Sequence, residues 1–250
     1  MSKKPIIFAH RGANRLAPEN TLAAFELAYE LGASAIELDV QLSADFVPVV
    51  IHDESLERTT SGSGLVADYR YDQLQKFSAG AWFNPCFADE RIPSLRDVLS
   101  TLIPLGLYVN IEIKPNQLSL IALVNAVLNV IQDLRCPAEQ ILLSSFNLNV
   151  IEQFARLKPD AAFHYALLVE KSSADILQTA TKYHCSGVNP SLDFLQQKNN
   201  HGFIQQAHQQ NLQVFSFTLN DLQQVQSLLA LGLDGFFTDN ESLYHLEYAL

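Results

Sequence analysis

Three cysteines in 250 residues, Cys86, Cys136 and Cys185, are odd in number and far apart. They fit neither a disulfide framework nor a zinc-ligand spacing, and a reducing compartment suits them. Basic residues are also scarce. Sixteen Lys and Arg against 27 Asp and Glu leave a formal charge of −11, which argues against nucleic acid, whose binding draws on a basic surface, and against anionic membranes. An anionic small substrate stays open if cations are concentrated locally. No apolar run approaches the roughly 20 residues needed to cross a bilayer. The opening MSKKPIIFAHRG has an apolar run of only four residues before His10, too short for a signal-peptide core, so a soluble cytoplasmic enzyme with no membrane anchor is the expectation. No glycine-rich phosphate fingerprint follows any strand-like run, which removes the usual signature of an open doubly wound sheet.

What is present is the pattern of an ordinary globular chain, 48% hydrophobic and 17% charged, outside the range of disordered sequences. Short apolar runs alternate with helical stretches. The runs are at 6–9, 35–42, 47–52, 107–113, 141–145, 163–169, 186–190, 214–219 and 235–239. Helical spacing is readable from Asn20 to Leu31, with Asn20 as N-cap and Gly32 beyond the end, and again at 118–134, 149–157, 199–210 and 221–231. Val/Ile/Leu-rich strands alternating with helices imply a parallel sheet covered on its outside, an α/β protein. About eight such units in this length favour a closed barrel in a single domain.

One connection breaks the alternation. Between Leu42 and Val47 there is no room for a parallel crossover, so the second and third runs form an antiparallel hairpin. A turn near Asp45 puts Asp39 beside His52 across it. The segment 54–93, with SGSG at 61–64 and aromatics including Tyr69, Phe77 and Trp82, reads as a small insertion beside the barrel mouth. Core packing accounts for Trp82 and its neighbours.

Polar residues at the C-terminal ends of barrel strands face the substrate side. His10 and Arg11 end the first strand. Glu37 and Asp39 share one face of the second, His52 ends the return strand, and Glu112 and Lys114 share a face of the fourth. Each alone has an ordinary structural explanation, such as a salt bridge or a hydrogen-bonded histidine. Together they put three carboxylates, two histidines and two cations on one rim, and buried charge that dense is expensive without a function. Carboxylates without thiolates or a histidine cluster suit one hard divalent cation, Mg²⁺ or Ca²⁺, with Glu37, Asp39 and Glu112 as ligands. Arg11 offers a planar fork to phosphate oxygens and Lys114 a point charge. His10 and His52, with ordinary pKa values of about 6.5, suit acid/base work near neutrality. His164, His184, His201, His208 and His245 have no partners at useful spacing. Phe215 and Phe217 each have a core-packing explanation, although one of them could border a pocket.

At these residues the sequence resembles the glycerophosphodiester phosphodiesterase family, particularly its bacterial cytosolic members. The blocks that carry the resemblance are AHRGANRLAPENTLAAF, IELDVQLSADFVPVVIHDESLERTTSGSG, NIEIKP and, in support, LLSSFN, FSFTLND and GLDGFFTDN. It implies a phospholipase C-like (β/α)8 TIM barrel with an insertion after the hairpin. It also implies hydrolysis of glycerophosphodiesters to sn-glycerol 3-phosphate and an alcohol, through attack of the glycerol 2-hydroxyl and a cyclic phosphate that water then opens. By position, His10 and His52 resemble the general acid/base pair, Glu37, Asp39 and Glu112 the divalent-metal ligands, and Arg11 and Lys114 the phosphate partners. Phe217, where the family often has Trp, is expected to border the glycerol. The chain departs again at the hairpin turn, with Asp45-Phe46 in place of the frequent Asp-Gly. Rival activities are cleavage of lysophospholipid or inositol phospholipid, and non-catalytic phosphodiester binding. The absence of an anchor or amphipathic stretch disfavours the first, and the intact histidines and acids disfavour the second. A monomer and a homodimer are both compatible with the sequence.

Overall fold

A computed structural model describes residues 4–157, 163–171 and 175–246. Its strands are β1 (Ile6–His10), β2 (Ala35–Leu42), β3 (Pro48–Val50), β4 (Tyr108–Ile113), β5 (Ile141–Ser145), β6 (His164–Val169), β7 (Gly187–Pro190), β8 (Gln213–Ser216) and β9 (Gly235–Thr238). The helices are α1 (Leu22–Glu30), α2 (Tyr71–Leu74), α3 (Leu95–Leu102), α4 (Leu120–Asp133), α5 (Leu148–Leu157), α6 (Ile176–Lys182), α7 (Leu192–Gln196), α8 (Phe203–Gln209) and α9 (Leu222–Ala230). All strands except β3 are parallel and run in the order β1-β2-β4-β5-β6-β7-β8-β9, with β9 pairing back to β1, which closes the barrel. Among the described residues no helix is long and apolar enough to cross a membrane.

Alternation along each strand separates two cores. Outward residues such as Ile36, Leu38, Val109, Ile111 and Val214 pack under the helices. Inward residues fill the barrel: Phe8, Phe215 and Phe237 stand against Ala35, Leu142 and Ala166. The large rings of Phe8, Phe237 and Phe215, from three adjacent strands, fill the space left by Ala35 and Ala166 and meet Leu142, so the barrel is a packed core and not a pore. Phe8 stacks on Phe237 at 4.6 Å and meets Phe215 edge-on at 5.5 Å.

Several sequence-based expectations are corrected. The N-cap of α1 is Thr21, whose hydroxyl accepts from the Ala24 N–H. Asn20 takes a left-handed conformation, φ 59°, and turns its amide to Asp39. The stretch 199–210 splits into a short 3₁₀ turn and α8, preceded by α7. Helical spacing does not reveal α3 or α6, although Ser94 and Asp97 form a capping box at the start of α3. Strand β8 stops at Ser216, so Phe217 lies just past its end.

The hairpin register also moves by one residue. Val40 pairs with Val50 and Leu42 with Pro48, and the Ile51 N–H donates to the Asp39 carbonyl at 3.0 Å. Asp39 is therefore opposite Ile51, with His52 the next residue along. The turn is tight despite lacking glycine. Phe46 adopts φ 62° and its N–H donates to the Ser43 carbonyl at 2.9 Å. Beyond the hairpin, Leu56, Val66, Leu74, Ala79 and Ile92 form a second apolar cluster with Val49 and Ile51. The segment around residues 54–93 thereby hangs on β3, and Arg58 within it reaches the barrel mouth.

Candidate active site

The alternation that fills the barrel also builds its mouth. Two residues beyond each inward core side chain comes a polar or functional one. Phe8 leads to His10, Ala35 to Glu37 and Asp39, Tyr108 to Asn110, Glu112 and Lys114, and Phe215 to Phe217. Parallel register sets neighbours side by side: His10 pairs with Glu37, and Asp39 with Glu112. The result is a cavity of about 380 Å³ whose charged side is lined by His10, Arg11, Glu37, His52, Glu112 and Lys114. Asn110, Phe146, Leu168, Glu170, Phe217 and Phe237 are among its other walls. A second cavity of about 340 Å³ lies among α7, α8 and α9, mostly apolar, with His201 its one titratable lining residue.

Carboxylate oxygens of Glu37, Asp39 and Glu112 lie within 4.8 Å of one another. Burial first, then repulsion from Asp39 and Glu112, pushes the Glu37 carboxyl well above its ordinary range. Burial and the Asp39 charge push Glu112 up to about 7. Burial would raise Asp39 too, but Arg11, Lys114, His52 and a hydrogen bond from Asn20 outweigh it and hold the group below its usual range. Arg11 Nε is 3.3 Å from Asp39, and Lys114 Nζ is 3.7 Å from both Asp39 and Glu112. Against three crowded carboxylates, the two cations prevail over burial only at Asp39. Clustered hard oxygens with surplus negative charge are a donor set that fits a divalent cation.

Each histidine has its own aspartate. His10 Nδ1 lies 2.7 Å from Asp239 Oδ1, and His52 Nδ1 lies 2.5 Å from Asp53 Oδ1. Asp239 is fixed by amides, from Asn14 at 2.5 Å and Asn220 at 2.9 Å. Burial opposes its ionisation, but the bonds from His10 and the amides hold it far below the ordinary value. Asp53 is held low first by hydrogen bonds from Arg58, at 2.6 and 3.0 Å. Ionised carboxylates only accept, so both Nδ1 atoms donate and both Nε2 atoms are left to exchange protons. His10 Nε2 is 3.9 Å from Glu37. Burial, ahead of the nearby charges, lowers the His52 pKa.

Arg58 also donates to both oxygens of Glu19, at 2.7 and 2.9 Å, and Glu19 accepts from Arg11 Nη1 at 2.8 Å. A chain of charge-assisted bonds therefore runs from His52 through Asp53, Arg58 and Glu19 to Arg11. Arg11 itself sits at φ 56°, which aims its N–H at Glu37, 3.0 Å away.

The structure gathers all of the residues predicted from sequence around one cavity, with Asp39 buried just behind its wall. Sequence reasoning missed Asp239, Asp53, Glu19 and Arg58 as site residues, and with them Asn14, Asn20, Asn110 and Asn220. Asp239 had a readable signal, an acid at a strand's C-terminal end, and Asp53 adjoins His52. Glu19 and Arg58, 39 residues apart, carry no mutual signal.

Fold and cavity together define an enzyme of the parallel α/β-barrel class. The chain belongs to the glycerophosphoryl diester phosphodiesterase family, whose family model matches residues 10–242. It is 34% identical to a glycerophosphodiester phosphodiesterase of Caldanaerobacter subterraneus subsp. tengcongensis over 97% of this chain and 98% of that one. It is likewise 34% identical to one of Bacillus altitudinis, over 93% and 94% of the two chains. Among solved structures, an Oleispira antarctica phosphodiesterase in complex with the product sn-glycerol-3-phosphate superposes with a TM-score of 0.87 at 29% identity, covering 96% of this chain and 95% of that one.

Proposed function

We propose that this phosphodiesterase hydrolyses glycerophosphodiesters to sn-glycerol 3-phosphate and an alcohol, with His10 and His52 as its acid/base pair. The observation that carries the reading is the pair of histidines on one cavity, each with Nδ1 bonded to an ionised aspartate, beside a carboxylate trio. The product held by the Oleispira relative supports the substrate class. Arg11 and Lys114 bind the phosphate oxygens, and Phe217 borders the glycerol. Residues 54–93 are an insertion within a single barrel domain, and through Arg58 they brace His52.

Glu37, Asp39 and Glu112 would hold one divalent cation, Mg²⁺ or Ca²⁺. Such an ion supplies Lewis-acid polarisation of a phosphoryl oxygen. The side chains do the rest. One imidazole Nε2 takes the proton of the attacking glycerol hydroxyl, and the other gives a proton to the departing alcohol. When water opens the resulting cyclic phosphate, the two exchange roles. Asp53 and Asp239 stabilise whichever imidazole is charged. The test is release of sn-glycerol 3-phosphate from glycerophosphocholine before and after exhaustive chelation, with Mg²⁺ or Ca²⁺ added back. Turnover that EDTA abolishes and one ion restores is expected. Unchanged activity after chelation removes the cation from the reading, and no turnover on any glycerophosphodiester refutes it.

A further inference from the structure

The cavity has two unlike sides, and the second is not used by the reaction chemistry. Opposite the charged cluster stand Phe146, Leu168, Phe217 and Phe237. Phe146 and Phe217 meet edge to face at 5.7 Å with planes at 89°, so their faces form a corner. Phe146 is 45% exposed, so its ring is accessible from solvent at the cavity mouth. It is inward by register: Leu142 lies in the barrel interior and Phe146 is four residues on. The same alternation governs the next strand. Ala166 is interior, and Leu168 and Glu170 both line the cavity. Glu170 is exposed, and among the described residues it has no ion-pair partner. Among the described lining residues of this apolar side, its carboxylate is the one charge.

Resting on the reading above, we infer that Phe146 and Glu170 form the subsite for the departing alcohol and select a cationic amino-alcohol head group, a quaternary or primary ammonium. A polyol would need several hydrogen-bonding groups, and the wall supplies few. An ammonium is attracted by a ring face within about 6 Å and by a carboxylate, and both are present. The dipolar substrate then matches a dipolar cavity, with phosphate toward Arg11 and Lys114 and ammonium toward Glu170. Phe217, less exposed than Phe146, remains beside the glycerol.

The experiment compares kcat/KM on glycerophosphocholine and glycerophosphoethanolamine with that on the uncharged-head-group diester glycerophosphoglycerol, for the wild type, Glu170→Gln, Glu170→Lys and Phe146→Leu. Because Glu170 is exposed and has no ion-pair partner among the described residues, its variants are expected to fold. The cationic-to-neutral ratio is expected to fall about fivefold in Glu170→Gln, the scale of a partly exposed charge pair, and further in Glu170→Lys. Phe146→Leu should lower the ratio for choline about threefold. The wild-type preference should shrink as salt is raised. A ratio unchanged in both Glu170 variants overturns the subsite while leaving glycerophosphodiester hydrolysis intact. No turnover of any of the three diesters refutes the parent reading and the subsite with it.

Discussion

In metal-free buffer, Glu112→Gln should make the protein more stable, and by an amount that depends on pH. Glu112 shares its site with Glu37 and Asp39, and burial together with the Asp39 charge pushes its carboxyl from the ordinary 4.5 up to about 7. Between those values the folded state holds a proton that the unfolded chain has released. Stability therefore falls as pH rises through that window and levels off above it. At about 1.4 kcal/mol per pH unit, the full span corresponds to on the order of 3 kcal/mol. Glutamine keeps the shape without the charge and should recover most of this at pH 8, but less than about 1 kcal/mol at pH 5. For a chain of this size that is a rise in Tm of roughly 5–10 °C at pH 8. The assay is thermal unfolding by circular dichroism in EDTA at both pH values, then with millimolar Mg²⁺ or Ca²⁺. With the ion, the order should reverse, because the wild type keeps three carboxylates and the variant two. A lower Tm for Glu112→Gln at pH 8 in EDTA, or an equal shift at pH 5 and pH 8, would refute the reasoning.

Asp239→Asn should lower kcat by about a hundredfold or more, the scale of a positioned acid/base group, with KM within about threefold. An amide can donate to His10 Nδ1 and so drive the proton onto Nε2; steady-state kinetics giving a normal kcat would remove Asp239 from that role. Arg58→Ala cuts the bonds to Asp53 and Glu19. Arg58 is 44% exposed, so unfolding by urea should register a loss of no more than about 1 kcal/mol, while kcat/KM falls at least about tenfold because both His52 and Arg11 lose their brace. An equal loss in stability with normal activity would make Arg58 merely structural. Gly12→Ala should be destabilising by more than about 1 kcal/mol, since φ is +82° and the added Cβ would lie 2.7 Å from the Ala24 backbone. Calorimetry showing an unchanged Tm would mean that the Gly12 loop yields freely.

The barrel was readable because its causes are local. Runs such as AIELDVQL and YVNIEI alternate between a helix-covered face and a barrel-filling face, and the pairing of Glu37 with Asp39, and of Glu112 with Lys114, follows from a two-residue period. The hairpin followed from a connection too short for a crossover. Its register did not, because a one-residue slip depends on how Ser43 and Phe46 shape the turn. Asn20 illustrates another limit. Its residue type suits an N-cap, but Asp39, 19 positions away in sequence, offers its amide a buried partner, and Thr21 takes the cap.

Sequence alone determined which residues could do chemistry and on which face of each strand they stand, since side-chain type and strand period are properties of short segments. Only the tertiary structure decided what holds them. Barrel closure sets β9 beside β1 and so brings Asp239 to His10, while the apolar cluster after β3 carries Arg58 to Asp53 and Glu19. His10 and Asp239 are 229 residues apart and Glu19 and Arg58 39, and the packing that joins them has no signature in any one stretch of the chain.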